Sequence, residues 1–285
     1  MRLQARRLSY AYPQRPLCLR DVSFAVDCGW IGFLLGANGS GKTTLLGCMA
    51  GTRSPGKGEV LLDGVSLRAL APRERAKRIG VVPQFPDTTF AFRVEDAVGL
   101  GRAPYVGLLS QPGPEDRRAV AQAIEAVGLK ALQGRSTAHL SGGERQLVWL
   151  ARGLAQGADC LLLDEPTAHL DPAHEQAVFS VVQRLAARGA TFLVASHHPE
   201  TALLYGTHAT FLREGAVIRS GSVGETITAA ALREAYGMDF SVLVGSGGER
   251  SVVPRIDDGR PRNVAPDGPE LDAESSVRGT RSPLA

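Results

Sequence analysis

Gly36-Ala37-Asn38-Gly39-Ser40-Gly41-Lys42-Thr43 fits the pattern G-x-x-x-x-G-K-[ST], and its setting decides the fold. The apolar run Trp30-Ile31-Gly32-Phe33-Leu34-Leu35 before it predicts a buried strand, and Thr43-Thr44-Leu45-Leu46 opens a helix. In that setting the glycines let successive backbone N–H groups turn toward a phosphate chain, and the helix start adds its positive end. Lys42 supplies a full positive charge, and Thr43 offers its hydroxyl to Mg²⁺. The bland alternative is an ordinary glycine-rich turn, and the strand, loop, helix context argues against it.

Further along, Cys160-Leu161-Leu162-Leu163-Asp164-Glu165 is a continuous apolar run ending in two carboxylates, the pattern of a strand covered on both faces in a parallel sheet. Its acids emerge at the carboxyl end of the strand, where open α/β sheets bind ligands. Asp164 is then placed to hold Mg²⁺ through water, and Glu165 to orient an attacking water. Thr191-Phe192-Leu193-Val194-Ala195 predicts another buried strand, ending at Ser196-His197-His198, where a histidine could reach a γ-phosphate. Leu140-Ser141-Gly142-Gly143-Glu144-Arg145-Gln146 holds a capping box between Ser141 and Glu144, before a helix with Leu147, Leu150, Ala151 and Leu154 on one face. Gly142 and Gly143 leave N–H groups bare there, so this is either a second anion site or a plain capped helix. Asp171-Pro172 reads as an N-cap and first-position pair, starting a helix with Ala177, Val178, Val181, Val182 and Leu185 inward.

The remaining segments fill in the architecture. Residues 3 to 26 alternate apolar and polar side chains around a turn between Pro13 and Pro16, an antiparallel β element. Tyr12 sits at its first strand's end, where a ring can stack on a nucleotide base or be a half-buried strand tyrosine. Val81-Val82-Pro83-Gln84 predicts a short strand ending on an amide side chain, and 85 to 113 reads as loops and short helices. A helix starting at Gly113-Pro114 carries Ala119, Val120, Ala123, Ile124 and Val127 on one face and ends at Gly128. From 245 the composition turns to Gly, Pro, Ser, Asp and Arg, which predicts a disordered tail over 245–285.

Composition excludes several function classes. At 285 residues, 44% hydrophobic and 21% charged, the chain has the balance of a soluble globular protein with a sizeable core. No apolar run reaches the roughly 18 residues of a membrane span, and no signal-peptide core follows the basic start Met1 to Arg7, so the expectation is the cytoplasm. A net charge of +3, without a basic run, gives no reason to expect nucleic acid. Cys18, Cys28, Cys48 and Cys160 lack C-x-x-C spacing and read as reduced core residues. Only four of the 32 basic residues are lysines, which makes Lys42 one of few candidates for a phosphate-binding ammonium.

With the Gly36 to Thr43 loop, Leu140 to Glu144, and Leu161 to Glu165 in this order, residues 3 to 240 resemble the ATP-binding cassette (ABC) ATPases. The resemblance implies an α/β fold: a P-loop NTPase core with a mostly parallel sheet, an antiparallel β subdomain, and a helical subdomain inserted at about 85–155, all within a domain over 1–244. It implies ATP and Mg²⁺ as cofactors and assigns roles residue by residue. Tyr12 stacks on adenine, Gln84 is the Q-loop glutamine that touches Mg²⁺ and the γ-phosphate shell, Asp171 is the D-loop aspartate, and His197 is the switch histidine. Gly36, Asn38, Gly39, Ser40, Gly41, Lys42, Thr43 and Thr44 line the nucleotide, with Ser141, Gly142 and Gly143 closing it from a second chain. Trp30 replaces a common acidic residue, Leu147 a usual Arg, and His198 a frequent Asp.

Val82-Pro83-Gln84 with Val94 to Arg102 is similar to the subgroup serving importers of iron-siderophore, haem or cobalamin, and in some members molybdate. The implied partners are a second copy of the chain, membrane permease subunits and, indirectly, a substrate-binding protein, at the cytoplasmic side of the membrane. Phe85, Phe90, Phe92 and Tyr105 are then expected in the surface docking the membrane subunit. The rivals are an importer ATPase for molybdate or another anion, a soluble ABC ATPase outside transport, and a nucleotide-binding module that does not hydrolyse.

Overall fold

A computed structural model of the protein describes residues 1–84, 91–107, 109–168, 170–248 and 250–255. Strands β1 (Arg2–Ala11) and β2 (Leu17–Asp27) come first, and β3 (Ile31–Leu35) leads into helix α1 (Lys42–Met49). Next are β4 (Lys57–Leu62), β5 (Val65–Ser66), α2 (Pro72–Arg78) and β6 (Ile79–Val82). Helices α3 (Val94–Gly99), α4 (Pro114–Ala126) and α5 (Gly142–Ala155) lie between β6 and β7 (Cys160–Asp164). The chain continues through α6 (Pro172–Ala186), β8 (Thr191–Ser196), α7 (Pro199–Tyr205), β9 (His208–Arg213) and β10 (Ala216–Ser222). It closes with α8 (Val223–Thr226), α9 (Ala229–Tyr236) and a hairpin of β11 (Phe240–Val244) and β12 (Arg250–Pro254).

The central sheet has the order β10-β9-β3-β8-β7-β6, parallel throughout except for β10. Every residue of β3, β7 and β8 is buried, as expected of apolar runs covered on both faces. Successive residues serve opposite sides. Phe33, Leu35, Phe192 and Val194 join Phe179 and Val182 of α6 on one side. Leu34, Leu193 and Ala195 face α1 and an antiparallel sheet of order β2-β1-β4-β5 on the other. Register sets where the site lies: Leu35 pairs with Ser196, Asp164 with Ala195, and Val82 with Leu163. Four strands therefore end level, and the segments after them emerge side by side.

Several details differ from expectation. On α5 the buried residues include Val148, Ala151, Gly153 and Ala155, while Leu147 and Leu154 are only partly covered. This helix packs on α3 and α4 as well as on β6 and α6, so its covered surface exceeds one stripe. Along α6, Phe179 is buried and Ala177 exposed, the phenyl ring stacking on Tyr205 at 4.6 Å. Only Cys48 and Cys160 are core thiols, pushed by burial up to about 11 and about 12; Cys28 lies exposed in the turn after β2, and Cys18 is half-buried.

The compact unit runs to Arg255 and not to 244. β12 pairs with β11 and buries Val252, and Arg250 donates to the carbonyls of Gly224 and Ile227. Backbone pairing makes a strand of a stretch whose composition alone reads as tail. The rest of the expected tail, 256–285, and Phe85 and Phe90 lie outside the described residues.

Candidate functional site

The loop after β3 is shaped by close approach. A side chain at Gly36 would collide with the Leu212 carbonyl, and one at Gly41, where φ is 106°, would come within 2.9 Å of Leu19. Gly41 is the N-cap of α1, and no side chain accepts from the first-turn amides. Those N–H groups and the helix's positive end therefore stay available to an anion. The Lys42 side chain is 6% exposed, and its Nζ donates to the carbonyls of Gly36 at 2.8 Å and Ala37 at 3.1 Å. Burial pulls its pKa down, while the carboxylates of Glu165 and Asp164 oppose that shift. The loop's own carbonyls thus hold a poorly hydrated ammonium in place, where its field on a phosphate is strong.

Asp164 ends β7 with 8% exposure, and its Oδ1 accepts from the Thr43 hydroxyl at 3.2 Å. Burial raises its pKa, and the Thr43 bond works against that. Glu165 is the hub of the site. Its backbone is left-handed, φ 46°, and its amide donates to Ala195 O at 3.0 Å. Such a conformation costs a non-glycine residue on the order of 1 kcal/mol and persists where the surroundings fix it. Gln84 donates its side-chain amide to Oε2 at 3.1 Å, and Lys42 Nζ lies 4.0 Å from Oε1. The Nδ1 of His197 is 3.2 Å from the same Oε1, without a formed hydrogen bond. Residues from four strand ends thus meet at one carboxylate.

A cavity of about 390 Å³ opens beside them, lined by Asn38, Gly39, Gly41, Lys42, Thr43, Thr44, Gln84 and Glu165. Ser40 is buried behind the loop, its Oγ without a partner among the described residues. Tyr12 reaches the helix from β1's end, its hydroxyl 3.0 Å from Thr44 Oγ1. The half-buried Cys18 lines the same cavity, its Sγ 3.5 Å from that Oγ1. Bare amides, an ammonium and two threonine hydroxyls fit a triphosphate, and the Thr43 hydroxyl with the Asp164 carboxylate is an oxygen pair suited to Mg²⁺.

The second glycine pair lies apart from this cluster. Ser141 caps α5 by accepting from Glu144 N at 3.2 Å, and Glu144 accepts from Ser141 N at 2.8 Å. A Cβ on Gly143 would collide with the His174 ring. Asp171 caps α6 by accepting from His174 N at 2.9 Å, and its other oxygen is 2.8 Å from His174 Nδ1. Among the described residues, no hydrogen bond or ion pair joins Ser141, Gly142, Gly143 or Asp171 to Lys42 and Glu165. Sequence reasoning missed Cys18 and His174. A polar residue three places after the Asp171 cap was the available signal for His174; nothing local marks Cys18.

Comparison with known proteins places these features in a family. A family model described as "ABC transporter" matches residues 19–168. A hemin import ATP-binding protein of Pseudomonas fluorescens is 40% identical over 83% of this chain and 92% of its own length. An iron(3+)-hydroxamate import ATP-binding protein of Bacillus subtilis is 32% identical, covering 85% and 90%. A chain of a metal-chelate type ABC transporter in an inward-facing conformation superposes with a TM-score of 0.78 at 27% identity, covering 89% of this chain and 97% of its own.

Proposed function

The chain belongs to the ABC transporter family, and from that premise we propose that it is the ATP-hydrolysing subunit of an importer for a metal chelate such as an iron-siderophore, haem or cobalamin. The observation that carries the hydrolytic part is the convergence of Gln84 and His197 on Glu165, next to Lys42 and the Thr43–Asp164 pair. Lys42 and the loop amides bind the β- and γ-phosphates, Thr44 the α-phosphate end, and Tyr12 the base. Thr43, Asp164 and Gln84 would hold Mg²⁺, which when bound neutralises charge on the phosphate oxygens. Glu165 orients and polarises a water, and His197 and Gln84 complete the γ-phosphate shell. Positioning and electrostatics dominate phosphoryl transfer, so several modest contributors suffice.

Two copies of the chain, head to tail, would place Ser141 to Gly143 of one over the phosphate held by the other, with Asp171 at the seam. Among the described residues no helix is long and apolar enough to cross a membrane. The arrangement we propose is a separate permease, with the chain peripheral on its cytoplasmic side and a substrate-binding protein opposite; what supports it is that the relatives are named as import ATP-binding proteins. A groove of about 560 Å³ between α3 and α4, with Phe92 and Leu100 on its rim, is where we place permease docking; Tyr105 is exposed nearby. Phosphate release tests the core assignment. Glu165→Gln is expected to keep ATP binding and lower turnover by about 10²-fold or more, because an amide cannot take a proton from water; near-unchanged turnover overturns it.

A further inference from the structure

Tyr12 is held from three sides. Its hydroxyl meets Thr44, and Tyr10 stands edge-on to its ring at 5.1 Å and 88°. The Arg53 guanidinium sits over its face, 5.0 Å from the centroid. Arg53 is itself anchored. Its backbone N donates to Gly47 O at 3.0 Å, and its stem occupies the space left by Gly47, where a Cβ would lie 2.8 Å from Cδ. A planar cation over a tyrosine face attracts the ring, so a base that stacks on Tyr12 must take the face that Arg53 does not cover.

We propose that Arg53 is a positioning residue for nucleotide binding: seated on one face of Tyr12, it fixes that ring so that the other face receives the base of ATP. The proposal rests on the assignment of Tyr12 to the base. It goes beyond that assignment because Arg53 lies after α1, outside the phosphate loop and outside every motif of the sequence. The gain is preorganisation: a ring already fixed loses little freedom when the base arrives.

The test is a double-mutant cycle on the full-length chain, read as the KM for ATP in phosphate release and as inhibition by inorganic triphosphate. Arg53→Ala should raise KM about two- to five-fold, the range of a partly exposed cation–π contact, with kcat unchanged. Inhibition by inorganic triphosphate, which has no base, should not move, and Arg53→Lys should restore part of the loss. In a Tyr12→Ala background, Arg53→Ala should then have no further effect. An equal effect in both backgrounds, or an unchanged KM for Arg53→Ala beside a raised one for Tyr12→Ala, overturns the proposal and leaves Tyr12's assignment standing. An unchanged KM for Tyr12→Ala removes that assignment itself, and the proposal with it. Melting curves of all variants separate these results from misfolding, with Arg53→Lys carrying the test if Arg53→Ala does not fold.

Discussion

The molecule carries two glycine-marked helix starts, and they are finished differently. At α1 no side chain caps the helix, and Lys42, Thr44 and Asp164 are buried around it. At α5 the chain supplies its own cap, through Ser141 and Glu144, and Ser141 and Gly142 lie exposed. The first start is surrounded by polar side chains from four strand ends, whereas the second is supported by His174 on α6 and faces outward. Its Glu144 carboxylate is engaged in the helix's own cap and Arg145 donates to the Leu140 carbonyl, so as an anion site it would be half a site. The contrast supports completion by a second copy, in which the α5 start of one chain closes the α1 start of the other.

The largest effect that could break this comparison is all or none. In a Glu165→Gln background, chains carrying Lys42→Ala or Ser141→Arg alone are expected to trap almost no ATP. Mixed into one dimer, both defects fall in the same composite site and the other site is intact, so about one ATP per dimer should be trapped. Counting nucleotide in a verified mixed dimer decides the matter. Finding none would mean that each chain completes its own site.

The two starts were also unequally legible. The capping box at Ser141 and the cap at Asp171 are local, so spacing alone placed their hydrogen bonds. The strands β3, β7 and β8 were readable because burial on both faces demands unbroken apolar runs. What stayed hidden depends on contacts distant in sequence. Arg53 reaches Tyr12 across 41 positions and Gly143 touches His174 across 31, and neither leaves a periodic trace. β12 was hidden for a related reason: its strand exists because β11 pairs with it, in a stretch whose composition resembles a linker.

A smaller effect sharpens the role of α6 at the second start. Gly143→Ala must displace the His174 ring, and such overpacking costs about 1–3 kcal/mol. Gly142→Ala meets only Leu170, at an ordinary 3.7 Å, and should leave the melting temperature unchanged or slightly raised. Adding His174→Ala to Gly143→Ala should recover part of the lost stability, because the ring is gone while the Cβ at position 174, 2.9 Å away, remains. Equal melting temperatures for the two glycine variants would show that α6 does not hold this helix start.

The smallest effect concerns the first start, where the chain buries charge. Burial raises the Asp164 pKa in the folded protein, so its ionised form is less favourable there than in the unfolded chain. The cost is absent below the ordinary value of 3.8, where the carboxyl is neutral in both states, and grows as pH rises through the folded pKa. Asp164→Asn removes the charge, and the Thr43 hydroxyl can still donate to the amide oxygen. The variant should therefore be more stable at neutral pH by about 1 kcal/mol, or roughly 2–4 °C in melting temperature, an advantage that shrinks as pH falls toward 4. Adding ATP with Mg²⁺ should invert the order, because the wild type gains binding stabilisation that the variant, lacking the carboxylate, forgoes. A variant less stable than wild type at neutral pH would mean that the attraction of Lys42 outweighs the burial of Asp164, and that this site stores no cost for its ligand to relieve.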